Sequence, residues 1–160
     1  MSETLAPVVK TVTVNASREK AFRIFTEFFG GWWPSTHHIG KHPFETAILE
    51  GRVGGRWYER MTNGEECNWG HVKVWDPPAR VVLSWHVQPD WGYDPDPEKA
   101  SEVEVRFIPE SETVTRVELQ HRNIERHGAL AGKLREGVSD GWPTVMDLYA
   151  RFANEQAGEK

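Results

Sequence analysis

The amino-acid sequence predicts an α+β fold. In this fold a curved antiparallel sheet of six or seven strands wraps around a long C-terminal helix, with a short helical segment after strand one. Three patterns lead to this prediction: a strand followed at once by a helix, a long run of strand-like segments, and a final apolar stripe with helical spacing. A long meander of strands curls by its twist, and only the last helix carries enough apolar surface to cover one of its faces.

The first strand and the first helix follow each other directly. Residues Val8–Val14 alternate apolar and polar side chains and are rich in β-branched residues, which predicts a strand. Asn15 and Ser17 then supply side chains that are typical of a helix start, and apolar residues recur at helical spacing after them. We expect this helix to end at Gly30 and Gly31.

The middle of the chain is predicted to be a meander. Its strand-like runs are 46–49, 56–61, 66–75, 80–87, 102–108 and 113–121. The Asn-Gly pair at 63–64 is typical of a two-residue hairpin loop, because both central residues of a type I′ turn need a positive φ. Such a loop would pair Arg56 with His71 and Tyr58 with Trp69. Alternation alone leaves open which face of strand 66–75 points to the interior.

The last helix is expected to begin at Ser139 or Asp140 and to run to about residue 156, with Pro143 tolerated in its first turn. Its apolar stripe consists of Trp142, Val145, Met146, Leu148, Tyr149, Phe152 and Ala153. The segment 89–100, rich in proline and aspartate, is predicted to be a long surface connection. We expect residues 1–160 to form a single domain with its core within about 7–156, because domains commonly have roughly 100–150 residues.

Composition excludes several classes of function. The formal net charge of −5 does not favour nucleic acid or an anionic membrane. No apolar run approaches the ~20 residues of a membrane span, and the N-terminus lacks a secretion signal, so we expect a cytoplasmic protein. The lone Cys67 excludes a disulfide framework and any site with several thiolate ligands. Its acidic neighbourhood and the absence of a G-x-S-x-G motif argue against nucleophilic catalysis.

Histidines concentrate in residues 35–42, which hold three of the seven in the chain. These side chains could in principle hold a divalent metal ion. However, His37 and His38 are adjacent and the segment has no clear helical pattern, so the sequence does not place them around one ion. We therefore expect a solvated loop, with no metal and no cofactor.

Eight tryptophans in 160 residues are more aromatic surface than a small solid core holds easily. A curved sheet around one helix often leaves a cavity, and we expect some tryptophans to form its wall. The candidate wall residues are Trp33, Trp57, Trp69 and Trp85, and the candidate polar anchors are His71 and His121. A purely structural role for His121, satisfied by a neighbouring carbonyl or hydroxyl group, is the alternative.

Several short segments, taken in order, resemble one known superfamily. They are Trp32-Trp33-Pro34, Gly54-Gly55-Arg56-Trp57, Trp69-Gly70-His71-Val72, Trp75-Asp76-Pro77-Pro78, Val117-Glu118-Leu119-Gln120-His121 and Gly141-Trp142. Together they are similar to START-like, or birch-pollen-allergen-like (SRPBCC), proteins, and within these to bacterial homologues of the heat-shock-protein-90 ATPase activator. The resemblance covers nearly the whole chain and implies a helix-grip fold, in which the C-terminal helix lies across a concave antiparallel sheet.

The resemblance also implies a function. Members of the superfamily bind lipids, steroids, polyketides or plant metabolites, so we expect an apolar or aromatic small molecule between the sheet and the last helix. One alternative is a co-chaperone-like module that stimulates a heat-shock-protein ATPase. Another is a cyclase- or hydrolase-type enzyme that uses His71 or His121 with a cavity carboxylate. The residues supply no complete acid–base set, so binding is favoured over catalysis and no catalytic residue is named.

Overall fold

The predicted sheet is confirmed. The computed structural model describes residues 5–34, 36–37, 41–88 and 96–158. In this part of the chain seven antiparallel strands form a sheet with the order β1-β7-β6-β5-β4-β3-β2. The strands are β1 (Val8–Val14), β2 (Phe44–Leu49), β3 (Arg56–Met61), β4 (Glu66–Asp76), β5 (Arg80–Trp85), β6 (Ser101–Pro109) and β7 (Thr115–Arg122). Most of the predicted connection at 89–100 lies outside the described residues.

The helices lie against the concave face of the sheet. They are α1 (Arg18–Glu27), α2 (Phe29–Trp32) and α3 (Ala131–Gly158), and short 3₁₀ segments occupy Pro97–Lys99 and Ile124–Leu130. Ser17 caps α1 as expected, because its hydroxyl accepts a hydrogen bond from the backbone N–H of Lys20 at 3.2 Å. The predicted helix after strand one is therefore confirmed, but its predicted end is wrong, because α1 ends at Glu27 and both Gly30 and Gly31 lie inside α2.

The predicted start of the last helix is wrong. The helix α3 begins at Ala131, before Ser139 or Asp140, and Pro143 lies inside it. Leu134 and Val138 are buried and extend the apolar stripe towards the helix start. Their packing stabilises the additional turns, and this offsets the loss of the one hydrogen bond that a proline nitrogen cannot donate.

Two irregularities in β4 decide which side chains face the interior. Arg56 pairs with His71 as predicted, but Tyr58 pairs with Asn68, so the predicted pairing with Trp69 is wrong. Trp69 is the extra residue of a β-bulge, and a second register shift follows in the pairing of β4 with β5. These shifts reset the alternation along the strand.

As a result, β4 has no single interior face that follows a period of two. Trp69 is 3% exposed within the core, and Trp75 packs against Phe22 with ring centroids 5.1 Å apart. His71 lies opposite Arg56 on the convex face of the sheet, which is the face turned away from α3.

The C-terminal half of α3 closes one end of the sheet. Tyr149 is fully buried, and its hydroxyl donates to the backbone carbonyl of Ala21 at 2.8 Å. The ring of Phe25 lies 5.1 Å from that of Tyr149 and 5.7 Å from that of Phe107. We call this aromatic packing around Phe25 and Tyr149 the filled end. No helix in the described part of the chain is long and apolar enough to cross a membrane.

Candidate functional site

A cavity of about 470 Å³ lies between the sheet and the N-terminal half of α3. We call this part of the molecule the open end. The cavity is bordered by the segment after α2, by β4, by the end of β5 and by α3. Its lining residues are Trp33, Thr36, His37, Trp69, Trp85, Val87, Gln88, Lys133, Leu134, Gly137, Val138, Asp140, Gly141, Trp142 and Val145.

Four tryptophans in the described part of the chain line the cavity, and two of them bond to backbone carbonyls nearby in the sequence. The indole N–H of Trp33 donates to the carbonyl of His37 at 2.8 Å, and that of Trp85 donates to the carbonyl of Val87 at 2.8 Å. Both bonds fix the ring relative to its own segment. Because the polar atom is already paired, each ring has only apolar surface left to offer the cavity.

The other two lining tryptophans bond to buried side chains. The indole N–H of Trp69 donates to the carboxylate of Glu59 at 3.0 Å, and that of Trp142 donates to Nδ1 of His121 at 3.1 Å. Glu59 and His121 are both fully buried. The ring of Trp69 also packs against that of Trp33, with centroids 4.8 Å apart. The four indoles therefore form a fixed, apolar aromatic wall.

The structure places the predicted wall residues in two layers. Trp33, Trp69 and Trp85 line the cavity. Trp57 is 1% exposed and lies behind them, with ring centroids 5.4 Å from Trp69 and 5.6 Å from Trp85. Its indole N–H donates to the backbone carbonyl of Ser84 at 2.8 Å, so Trp57 supports the wall from behind.

The two predicted anchors lie in different places. His121 is fully buried behind Trp85, and its Nδ1 accepts a hydrogen bond from the cavity-lining Trp142. Burial, followed by the proximity of His127, lowers the pKa of His121 to about 3, so the imidazole is neutral at pH 7. His71 is half-buried on the convex face, away from the cavity.

Most of the polar lining was not predicted from the sequence. The histidines of 35–42 are predicted to lie in a solvated loop, but His37 is half-buried and lines the cavity. Nδ1 of His37 lies 2.9 Å from the hydroxyl of Thr36, and burial lowers the pKa of His37. Nε2 of His42 lies 3.9 Å from Oε2 of Glu65, and His38 lies outside the described residues. Among the residues that the structure describes, no three His, Cys, Asp or Glu side chains are grouped to hold a metal.

Two further features of the cavity differ in whether the sequence could have predicted them. The spacing of Leu134, Val138 and Trp142, four residues apart, places them on one helix face and could have revealed the α3 side of the cavity. Gln88 lies beyond the end of β5 in a polar segment, and nothing in the local pattern distinguishes it.

The sheet, the helix across it and the cavity between them define a START-like, helix-grip protein. The chain belongs to the family described as Activator of Hsp90 ATPase homolog 1-like protein, which matches residues 15–152. A search of curated proteins found no match.

Several solved structures share this fold. One is described as an anthrahydroquino-gamma-pyrone synthase, Txn09; it is 38% identical, with a TM-score of 0.62, over 96% of this chain and 99% of that one. Another is the self-sacrificing resistance protein CalC from Micromonospora echinospora; it is 33% identical, with a TM-score of 0.72, over 97% of this chain and 98% of that one. Protein NE0264 from Nitrosomonas europaea is 13% identical, with a TM-score of 0.65, over 96% of this chain and 97% of that one, and shows the fold alone.

Proposed function

We propose that the chain binds a flat, fused-ring aromatic small molecule in the cavity at the open end. The observation that carries this proposal is the wall of four tryptophans, whose N–H groups are all paired within the protein. Flat rings stack well on such a wall. The volume of about 470 Å³ lies within the range of roughly 300–1,000 Å³ for small-molecule sites. Trp33, Trp69 and Trp85, together with Trp142, are the proposed ligand contacts.

The similar proteins share the fold but are described by different functions. Txn09 is described as an anthrahydroquino-gamma-pyrone synthase, whereas CalC is described as a self-sacrificing resistance protein. Since relatives of comparable identity carry such different descriptions, the fold does not determine the reaction. Binding is the function that the cavity itself supports, and we assign no reaction to it.

The test is a titration with 1-anilinonaphthalene-8-sulfonate, followed by probe fluorescence and by the quenching of tryptophan emission. We expect saturation at one site per chain and a higher melting temperature, because a ligand that binds only the folded state stabilises it. Two glycines of α3 supply matched variants. A Cβ at Gly137 or at Gly132 would meet no atom within 4 Å, but only Gly137 lines the cavity.

The variant Gly137→Trp should obstruct the cavity and weaken probe binding by at least about tenfold, or about 1.4 kcal/mol. The control Gly132→Trp should bind the probe like the original protein. Equal binding by all three proteins would contradict the proposal. So would a protein that binds no aromatic probe but stimulates a heat-shock-protein ATPase, and that result would favour the co-chaperone alternative.

A further inference from the structure

A chain of hydrogen bonds runs behind the cavity wall and reaches the cavity at both ends. It starts at Trp142, passes through His121, Ser101 and His127, and ends at Gln88. The successive distances are 3.1, 2.7, 2.8 and 3.2 Å. The three middle residues are buried, whereas Trp142 and Gln88 line the cavity. We call these five residues the relay.

The proton positions at the Trp142 end follow from the donors. An indole nitrogen can only donate, so Nδ1 of His121 must accept the bond from Trp142. The proton of the neutral His121 ring is therefore on Nε2, and it is donated to the hydroxyl oxygen of Ser101. The Ser101 hydroxyl proton is then available for the next member of the relay.

At the Gln88 end, a backbone N–H group determines the position of the proton on His127. The backbone N–H of Ser101 donates to Nε2 of His127 at 3.2 Å, so this nitrogen is an acceptor. The Ser101 hydroxyl donates to the same nitrogen. His127 must then carry its proton on Nδ1, where it is donated to the side-chain oxygen of Gln88. The amide group of Gln88 is thereby oriented, with its oxygen bound to His127 and its NH₂ group left to donate elsewhere.

We propose that Gln88 is a specificity-determining residue, held by the relay as a hydrogen-bond donor at the cavity wall, and that it selects aromatic ligands bearing a carbonyl oxygen, such as quinones and aryl ketones. This inference rests on the proposed function. A carbonyl oxygen accepts a hydrogen bond from the Gln88 NH₂ group, whereas the edge of an aromatic hydrocarbon leaves that group unpaired on binding. The tryptophan wall supplies affinity for both ligands, and Gln88 accounts for the difference in affinity between them.

The experiment compares two probes that differ only in their carbonyl groups, anthraquinone-2-sulfonate and anthracene-2-sulfonate. Calorimetric titration should show that the protein prefers the quinone by about 3- to 10-fold, which corresponds to one net hydrogen bond. The variant Gln88→Glu keeps an acceptor for His127 but replaces the NH₂ donor by a carboxylate oxygen. We expect it to lose the preference while still binding the anthracene probe.

The control is Gln120→Glu, which introduces the same charge on the convex face, where Gln120 accepts a bond from Arg122. It should keep the preference. If neither probe binds the original protein, both the proposed function and this inference fail. If both probes bind but the preference is absent, or survives in Gln88→Glu, only the inference fails.

The positioning role of the relay has its own readout. In the unaltered protein, nitrogen NMR should find the proton of His121 on Nε2 and that of His127 on Nδ1. A His127 ring protonated on Nε2 would overturn the inference, since the orientation of Gln88 would then have no cause. The variant His127→Phe removes the donor that orients Gln88 and should reduce the ratio of quinone to anthracene affinity, a ratio that a general loss of stability leaves unchanged.

Discussion

The filled end and the open end lie under the same helix and against the same sheet, yet one is solid and the other holds a cavity. At the filled end, α1 places Phe25 between Tyr149 and Phe107. At the open end the short segment after α2 takes the place of α1, and the tryptophans line a space that they do not fill. The cavity therefore exists because α1 covers only part of the concave face.

The two ends also differ in their buried polar groups. Tyr149 makes a single hydrogen bond to a backbone carbonyl at the filled end. Behind the wall of the open end, the relay contains two buried histidines and a serine. We therefore expect the filled end to account for stability, and the open end to account for binding and for sensitivity to pH.

The largest expected effect is on stability at the filled end. Phe25 is 2% exposed and contacts aromatic rings of three other elements. Phe25→Ala should lower the free energy of unfolding by about 3–5 kcal/mol, the usual cost of a large cavity in a core. Urea denaturation measures this. A loss below about 1 kcal/mol would mean that this end is not solid.

At the open end, a substitution should affect ligand binding more than it affects stability. Trp85 is half-buried and faces the cavity on one side, so it has fewer packing partners to lose. Trp85→Ala should lower the free energy of unfolding by about 2 kcal/mol or less, and should weaken binding of 1-anilinonaphthalene-8-sulfonate by about tenfold. An unchanged affinity accompanied by a loss as large as that of Phe25→Ala would remove the distinction between the two ends.

Low pH should destabilise the protein because of His121, which is buried behind the wall of the open end. The pKa of His121 is about 3 in the folded protein and 6.5 ordinarily, so below pH 6.5 the unfolded chain binds a proton that the folded one does not. The free energy of unfolding should fall by about 1.4 kcal/mol per pH unit from about pH 6.5 towards pH 3, and this contribution is fully present above pH 6.5.

The matched variant is His121→Gln, because a glutamine can accept from Trp142 and donate to Ser101 but does not titrate. Its stability should depend less steeply on pH between about 5 and 6.5. Below that window Glu104 adds to the loss of stability in both proteins alike. Burial raises the pKa of Glu104, but hydrogen bonds from Arg80 and Arg122 lower it overall. Equal slopes for the two proteins would show that His121 is protonated in the folded state.

The sequence predicted the features that local patterns encode. The strands were recognised by alternation and by turn residues, and the start of α1 by the cap at Ser17. The start of α3 was misplaced because Pro143 is a strong local signal, whereas the packing that overrides it is tertiary. The side chains of β4 that face the interior are determined by two register shifts, and no residue type in the strand predicts these shifts.

For the candidate site, the abundance of tryptophan predicted an aromatic wall. The polar groups could not be predicted in the same way, because the relay joins Gln88, Ser101, His121 and His127 from four separate segments. Only His121 stands out in its own segment, and the pairing of β6 with β5 and β7 brings Ser101 close to it. Buried polar chemistry of this kind depends on tertiary contacts rather than on a sequence motif.

The smallest expected effect concerns two exposed glycines on the α3 side of the open end. A Cβ at either Gly128 or Gly137 would meet no atom within 4 Å, but Gly128 has a φ of +75° whereas Gly137 lies inside α3 with no positive φ. Gly137→Ala should therefore raise the free energy of unfolding by about 0.5–1 kcal/mol, because alanine loses less conformational entropy in a helix. Gly128→Ala should lower it by about 1 kcal/mol or more, since a side chain is strained at that φ. Gly128 does not line the cavity, so probe affinity should be unchanged in Gly128→Ala. A stability change of the same sign in the two, measured by urea denaturation, would contradict the backbone conformation described here.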